Sequence, residues 1–400
     1  MKLLFVTYRD THGSGNYTIS CVKKFMLSGY TVKMLVAEKK TNNDFIIQYK
    51  FSRLHYYFNK LLKRVELLFN LYISDYEFHD RGRYLIPNIK KFHNSLEKFN
   101  PDIIVINWIS ELVSIDTIYS YSKSKNIELW IWPIDKSLFF GGCHFNLNCK
   151  LYLSSCSNCP AVPFYKRNDV NKKYISNQKI LRESTLIFFN LWFKKYVLEI
   201  LSIDNLKYHF YYDESQFNSI NILTKSSISN EVHLVYGSSQ IDNIRKGFNE
   251  FVKIIKNIDY KLKSISIKVF LHFVGNNPVD LKLQNIHQIN HGYLNLDEMK
   301  YLLLSTDIVV STSLDDIGPS FLVSAIECGN IPFAFSVGIA QDLIKDGTSG
   351  FLFNLGDVTK FEDVLFDNIL NKNRLEYLKS ESTKSLKTYL EKLFYLKTIP

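Results

Sequence analysis

Nowhere in its 400 residues does this chain carry an apolar run of about 18 residues, so no helix is expected to cross a membrane. The opening MKLLFVTYRD has only a few apolar residues before Tyr8, Arg9 and Asp10 interrupt it. It does not read as a secretory leader, and a cytoplasmic location is expected. Proline is scarce, with nine in the chain, and no low-complexity linker or short repeat separates its parts. Six cysteines in such a protein are not read as a disulfide framework. What is abundant is apolar and aromatic: 46% hydrophobic, 15% Phe, Trp and Tyr, and 22% charged. That composition suits a globular protein, and the length points to two domains rather than one. The net charge of +10 favours an anionic partner. Because the cations are spread rather than gathered in one arm, nucleic acid is not the expected partner.

Apolar segments suggest how the chain is organised. KLLFVT (2–7) reads as a buried strand, RDTHGSGNYT as a glycine-bearing loop, and 17–28 as a helix ended by Gly29. With the strand at 30–37 they make a βαβ unit and imply a parallel sheet. Further strands are predicted at 101–108, 127–133, 184–190 and 207–212, then at 232–239, 268–276, 286–294, 307–314 and 331–337. Two successive α/β series predict two Rossmann-like domains facing a cleft, with a junction near 213–230. The expected boundaries are 1–213, 214–380, and a terminal helix over 381–400 packing back toward the first domain. The stretch 51–72 is the clearest amphipathic helix, with Leu61, Val65 and Leu68 at helical spacing and Lys60 and Arg64 on other faces. It fits a core helix of the first domain, or a basic aromatic face resting on an anionic membrane.

Chemistry concentrates in the second series. A strand ends at Gly237, and the loop after it carries Arg245, Lys246 and Gly247 before a helix begins at Phe248. Two cations at a strand-to-helix loop suit a diphosphate. Another strand ends in Gly275. A third is followed by Asp315, Asp316, Gly318 and Pro319, then by a helix from Ser320 to Cys328 whose N–H groups can receive a phosphate. Arg245, Lys246 and that helix start form a candidate clamp for one diphosphate. Asn295 or Asp297 is expected to cap a helix before the third strand. In the first series, Cys143, Cys149, Cys156 and Cys159 lie close in sequence, with His144 a competing ligand. A structural zinc, a disulfide or redox pair, and packed free thiols all remain open there.

The stretches YGSS…RKGF, FVGN, HGYL, STDIVVSTSLDDIGPSFLVSAIECGNIPFAF and VGIAQDLIKDGTSGFLF, between 236 and 353, resemble in order and spacing the C-terminal domain of GT-B glycosyltransferases of retaining family 4. PIDKSLFFGGCHFNLNCKLYLSSCSNCP (133–160) resembles a stretch of the colanic-acid and capsule polysaccharide branch of that family. Gly141, Gly142, Cys143, His144, Cys149, Cys156, Cys159 and Pro160 match it one by one. The resemblance implies transfer of a sugar from a UDP- or GDP-sugar to a saccharide, expected to be lipid-linked, with retention of configuration. Lys246 and Arg245 would stabilise the leaving diphosphate and Asp316 would hold sugar hydroxyls. Gly237, Gly275, Gly318, Pro319, Ser320, Phe321, Ser324 and Glu327 would line the donor site. Gly13, Gly15, Asn16, Asn107 and Asp135 would face the acceptor. No metal or cofactor is expected in the chemistry, and a peripheral position on the inner membrane face is expected.

This chain departs from the family pattern in four places. Ser324 stands where an acidic-x7-Glu motif starting at Asp316 has its second acid. Ile134 precedes Asp135 where the family has His, Asn107 stands where His is often seen, and Ser238 follows Gly237 where Arg is common. A serine loses the charge-assisted bond to a ribose hydroxyl, a difference of about 1–2 kcal/mol. Glu327, one helical turn further on, is a candidate replacement. These departures leave a second reading open, a weakly active or non-catalytic homologue acting in a polysaccharide assembly complex.

Overall fold

The computed structural model describes residues 1–51, 57, 60–61, 64–65, 68, 89–110, 112–147, 149–203, 206–211, 230–318 and 320–395. The expected amphipathic helix over 51–72 and the junction at 213–230 lie largely outside these. Two compact units are present. One comprises 1–189 and 194–211. The other comprises 190–193 and the described residues from 230 onward.

The first unit holds β1 (Lys2–Val6), α1 (His12–Leu27), β2 (Thr31–Val36), β3 (Ile46–Gln48), α2 (Ile89–Glu97), β4 (Ile103–Ile106), α3 (Ile115–Lys125), β5 (Glu128–Ile131), α4 (Arg167–Glu183), β6 (Thr185–Phe188), most of α5 (Leu191–Leu201) and β7 (Tyr208–Phe210). Its sheet runs β3-β2-β1-β4-β5-β6-β7, with every neighbouring pair parallel. Parallel strands need crossovers that cover both faces, which is why IIVI and TLIF are buried at every position. Phe5, Phe25, Trp130 and Trp132 form the centre of this core.

The second unit holds β8 (Glu231–Gln240), α6 (Phe248–Lys261), β9 (Lys268–Asn276), β10 (Ile286–Asn290), α7 (Leu296–Ser305), β11 (Ile308–Ser311), α8 (Ser320–Glu327), β12 (Ile331–Phe335), α9 (Ala340–Leu343), β13 (Phe351–Phe353), α10 (Val358–Leu370) and α11 (Lys372–Tyr395). The sheet order is β10-β9-β8-β11-β12-β13, again all parallel. Helix α6 packs Phe251, Ile254, Ile255 and Ile258 into a core shared with Phe273, Phe333 and Phe361. Asn295 caps α7 in a reciprocal box with Glu298.

Both sheets therefore start in the middle and grow outward in two directions. The order reverses between β1 and β4 in one unit and between β8 and β11 in the other. At such a reversal the loops leaving adjacent strands part to opposite faces, which opens a crevice at the carboxyl ends of the strands.

Two short strands, β3 and β13, were not expected. Residues 396–400 lie outside those described, and over 381–395 the expected separate terminal helix is the continuation of α11. Ser382, Ser385 and Tyr389 on it bond to Asn330, Leu343 and Asp342 of the second unit. The expected loop over 9–18 ends early, since α1 begins at His12 after Thr11, which is fully extended.

Candidate active site

In the second unit, β8 leads through Asn243 into a single tight turn, Ile244–Lys246. The Asn243 side chain accepts the Arg245 N–H at 2.9 Å and starts the turn. Gly247 closes it in a left-handed conformation, φ 71°, and caps α6. The turn is held against the loop after β11. Thr312 donates through its hydroxyl to the Gly247 carbonyl at 2.8 Å, Tyr236 donates to the Lys246 carbonyl at 3.1 Å, and Leu314 N–H donates to the Arg245 carbonyl at 2.9 Å. The main chain carrying both cations is thus fixed at three successive carbonyls.

That fixing brings the two sequence motifs together. The Lys246 ammonium donates to the Asp316 carboxylate, and the Arg245 guanidinium lies 3.6 Å from it. Arg245 also donates to the Asp315 carbonyl at 2.9 Å, and Gly318 N–H donates to Asp316 at 3.1 Å. Asp316 is buried. Burial alone would raise its carboxyl, but the charges of Lys246 and Arg245 and the Gly318 bond bring it below its ordinary value. The result is an ionised triad of two cations and one carboxylate at the β8/β11 reversal.

Around it the backbone is close. A Cβ on Gly237 would meet the Phe321 ring at 2.4 Å, so that glycine lets α8 lie over the end of β8. Gly275, φ 142°, packs on the Ser238 carbonyl, where a Cβ would sit at 1.8 Å. The Ser238 hydroxyl is buried without a hydrogen-bond partner. Ser320 and Ser324 lie on α8, Ser324 half-buried. Pro319 lies outside the described residues.

Glu327 is placed differently. It is buried near the end of α8, its Oε1 has no partner, and the nearby charge acting on it is that of Lys300 on α7. Burial pushes its carboxyl up to about 8. The folded chain therefore holds this proton where the unfolded chain, near the ordinary value of 4.5, has lost it. Stability from this group is complete below about 4.5 and falls as pH rises toward 8, by about 1.4 kcal/mol per pH unit at most. Glu327→Gln is expected to raise the melting temperature at pH 8 by several degrees and to leave it unchanged at pH 4.5. Equal melting temperatures at pH 8 would refute this.

In the first unit the residues meet at the β1/β4 reversal. Gly13, Gly15 and Asn16 lie in the first turns of α1 rather than in a loop. Gly15 lets that turn approach the main chain of Arg9 and Asp10, where a Cβ would be 2.5 Å from the Asp10 carbonyl carbon. Asn107 is buried and donates to the Trp132 carbonyl at 3.4 Å. Beside it the Arg9 guanidinium lies over the Trp108 ring, 4.8 Å from its centroid.

Sequence reasoning missed one feature here. His144 Nδ1 lies 2.6 Å from Asp135, and Ser137 donates to the same carboxylate through its N–H and hydroxyl. Trp108 Nε1 is 3.3 Å from the same imidazole. Burial would raise Asp135, but His144 and Ser137 bring it below its ordinary value. A histidine thus stands beside Asp135 although Ile134 precedes it. The matching GGCH was the available signal, but it was read for the family resemblance, with His144 only a competing ligand beside the cysteines. Of the cysteines, Cys143 donates to Cys159, whose sulfur is further lowered by the N–H groups of Ala161 and Val162. Among the described residues no group of three or more His, Cys, Asp or Glu is arranged to hold a metal ion.

The architecture is GT-B: two Rossmann-like units, each with its own parallel sheet. Residues 224–385 match the family described as "Glycosyl transferases group 1". No curated protein matches the chain by sequence. Among solved structures, the sucrose-phosphate synthase from Thermosynechococcus elongatus is similar over 98% of this chain and 96% of its own, with TM-score 0.68 and 12% identity. WaaG, a glycosyltransferase involved in lipopolysaccharide biosynthesis, is similar over 98% of both chains, with TM-score 0.64 and 12% identity. HepE from Anabaena, solved with UDP-glucose, is similar over 98% of both chains, with TM-score 0.61 and 12% identity.

Proposed function

We propose that this chain is a glycosyltransferase. It takes a sugar from a UDP- or GDP-sugar and passes it to a saccharide acceptor, lipid-linked, in bacterial surface polysaccharide synthesis, with retention of configuration. The observation that carries the reading is the Arg245–Lys246–Asp316 triad at the β8/β11 reversal. Matching of residues 224–385 to a glycosyl transferase family and the UDP-glucose held by HepE support the donor class.

In this reading each group has a role. Lys246 and Arg245 offset the charge that gathers on the diphosphate as the sugar leaves, a contribution that grows toward the transition state. Asp316, kept ionised by both cations, accepts from donor sugar hydroxyls. Retention follows if the acceptor hydroxyl attacks from the face the diphosphate leaves, its proton passing to a donor phosphate oxygen. In the first unit, Asp135 holds the His144 imidazole in one orientation beside Trp108, suited to positioning an acceptor hydroxyl. Gly13, Gly15, Asn16 and Asn107 lie at the same sheet edge.

One observation favours a second reading, a homologue that binds nucleotide with little turnover. Ser324 carries no charge, and Glu327 is buried with its carboxyl pushed up to about 8. Calorimetric titration with UDP and GDP, followed by a panel of sugar nucleotides, tests both readings. Absence of binding by either nucleotide would sink the first. Binding without slow donor hydrolysis or transfer would select the second.

A further inference from the structure

Arg9 takes no part in the diphosphate chemistry, yet it stands at the β1/β4 reversal of the first unit as a cation without a counter-charge. Its guanidinium lies 4.8 Å from the centre of the Trp108 ring and 5.5 Å from that of Tyr8, and those two rings meet edge to face. The main chain fixes this group from both sides. Tyr8 N–H donates to the Trp108 carbonyl at 2.7 Å, which ties the segment after β1 to the segment after β4. The Tyr8 carbonyl accepts from the N–H groups of Ala37 and Glu38 at 2.9 and 3.0 Å, which ties it to the segment after β2. Arg9 is half-buried, and its Nε is buried without a hydrogen-bond partner.

Two acids are close at hand, and each is committed elsewhere. Asp10 is buried and accepts from the N–H groups of Lys40 and Thr41 and from the Thr41 hydroxyl, at 2.7–3.0 Å. Burial would raise its carboxyl, but these bonds bring it below its ordinary value, so its charge is held by the loop after β2. Glu38 accepts the Tyr8 hydroxyl at 3.1 Å. The ion pairs among the described residues of this unit are made by Lys123, Lys125 and His144, and none of them by Arg9. On the same indole, Trp108 Nε1 is 3.3 Å from His144 Nδ1, the imidazole that Asp135 holds. Asn107, next in the chain and 3% exposed, has its Oδ1 buried without a partner, an acceptor suited to a hydroxyl.

We propose that Arg9 is a specificity-determining residue, selecting an acceptor whose accepting sugar itself carries a phosphate or a carboxylate. This rests on the glycosyltransferase reading, in which the crevice takes the acceptor. A guanidinium stacked on an aromatic ring is held flat and partly stripped of water, and its fork meets either anion with two parallel bonds. A neutral sugar offers that fork no opposite charge. The anion belongs on the accepting sugar because Arg9 and His144 both pack on Trp108, 4.8 and 5.7 Å from its ring centre, within reach of one sugar residue. An acceptor hydroxyl placed by the His144–Asp135 pair then has its anionic substituent at Arg9.

The test is titration of the full chain, saturated with UDP, by ligand-detected NMR. The probes are glucose, glucuronic acid, glucose 6-phosphate and inorganic phosphate. At least one anionic sugar is expected to bind roughly tenfold or more tightly than glucose, the gain of a charge-assisted over a neutral contact. Which of the two binds separates a carboxylate from a phosphate, and inorganic phosphate reads the anion site independently of the sugar. Arg9→Gln should bring the anionic sugars to within about twofold of glucose, while Arg9→Lys keeps part of the preference because it retains the charge without the fork. Glucose binding, UDP binding and the melting temperature should be nearly unchanged in both variants. Equal titrations of the wild type and Arg9→Gln with all three anions overturn the proposal. Failure of UDP to bind strikes the glycosyltransferase reading instead. The Arg9 titration is then read in Lys246→Ala, which weakens the anion site of the second unit, and loss of phosphate binding on adding Arg9→Gln to it still assigns the anion to Arg9.

Discussion

Lys246→Ala is expected to lower transfer by about 10²–10³-fold and to weaken binding of a nucleoside diphosphate at least about tenfold. Loss of a cation aimed at the leaving diphosphate accounts for the first effect, because that charge is largest in the transition state. The second is smaller because Arg245 remains, 3.6 Å from the same carboxylate. A complication is that Lys246 is paired with a buried acid in the fold. Removing it leaves Asp316 with one cation instead of two, so some stability is lost, about 2–3 kcal/mol given that Lys246 remains partly exposed. Charge burial and ligand binding can be separated. Asp316→Asn should leave UDP binding equal or tighter, since both cations are then unopposed, while transfer falls with loss of the sugar contact. The double variant Lys246→Ala/Asp316→Asn should recover most of the lost stability without recovering UDP affinity. If it recovers both, Lys246 acts on the fold alone.

Gly247→Ala should be among the most damaging single-atom additions in the second unit. The residue has φ 71°, where a Cβ costs about 1–2 kcal/mol in any protein. Here the Cβ would also lie 1.7 Å from the Thr312 carbonyl oxygen, which is main chain and cannot swing aside. Relief requires moving either the turn that carries Arg245 and Lys246 or the loop after β11 that carries Asp316. Both lie in the candidate site, so stability and nucleotide binding should fall together, stability by about 3 kcal/mol or more. Gly13→Ala is the matched control. Its Cβ meets nothing within 4 Å, and in the first turn of α1 alanine should be neutral or slightly stabilising. A urea unfolding free energy for Gly247→Ala within about 1 kcal/mol of wild type would contradict the packing described.

Reading the chain as a sequence reached the architecture because its signals are local. KLLFVT, PDIIVINW and DIVVSTSL are apolar on both faces, and only strands of a parallel sheet covered on both sides bury such runs at that length. The turn after β8 was also legible, since a glycine closing a tight turn and opening a helix leaves its mark in RKGF. The short strands β3 and β13 left no such mark. Nor did the first turn of α1, where two glycines suggest a loop but Gly15 instead allows a helix to begin against the main chain before it.

Pairings between distant positions were decided only by the fold. Lys246 and Asp316 are separated by 70 residues and were each read as ligands for a substrate. In the folded unit they hold each other, and any donor must share or displace that bond. Ile134 seemed to leave Asp135 without a histidine, yet the chain returns ten positions later and sets His144 at 2.6 Å. Glu327 was read as a candidate for the ribose from its place in the sequence, and the fold buries it with Oε1 lacking a hydrogen-bond partner. Three histidines from separate segments, His233, His272 and His291, bond in series at 3.0 and 2.9 Å with no sequence pattern to announce them. The division has one physical cause. Periodicity and turn chemistry act over a few residues and are written in order along the chain. An ion pair or a buried proton depends on which strands become neighbours, and that order, β10-β9-β8-β11-β12-β13, is a property of the sheet.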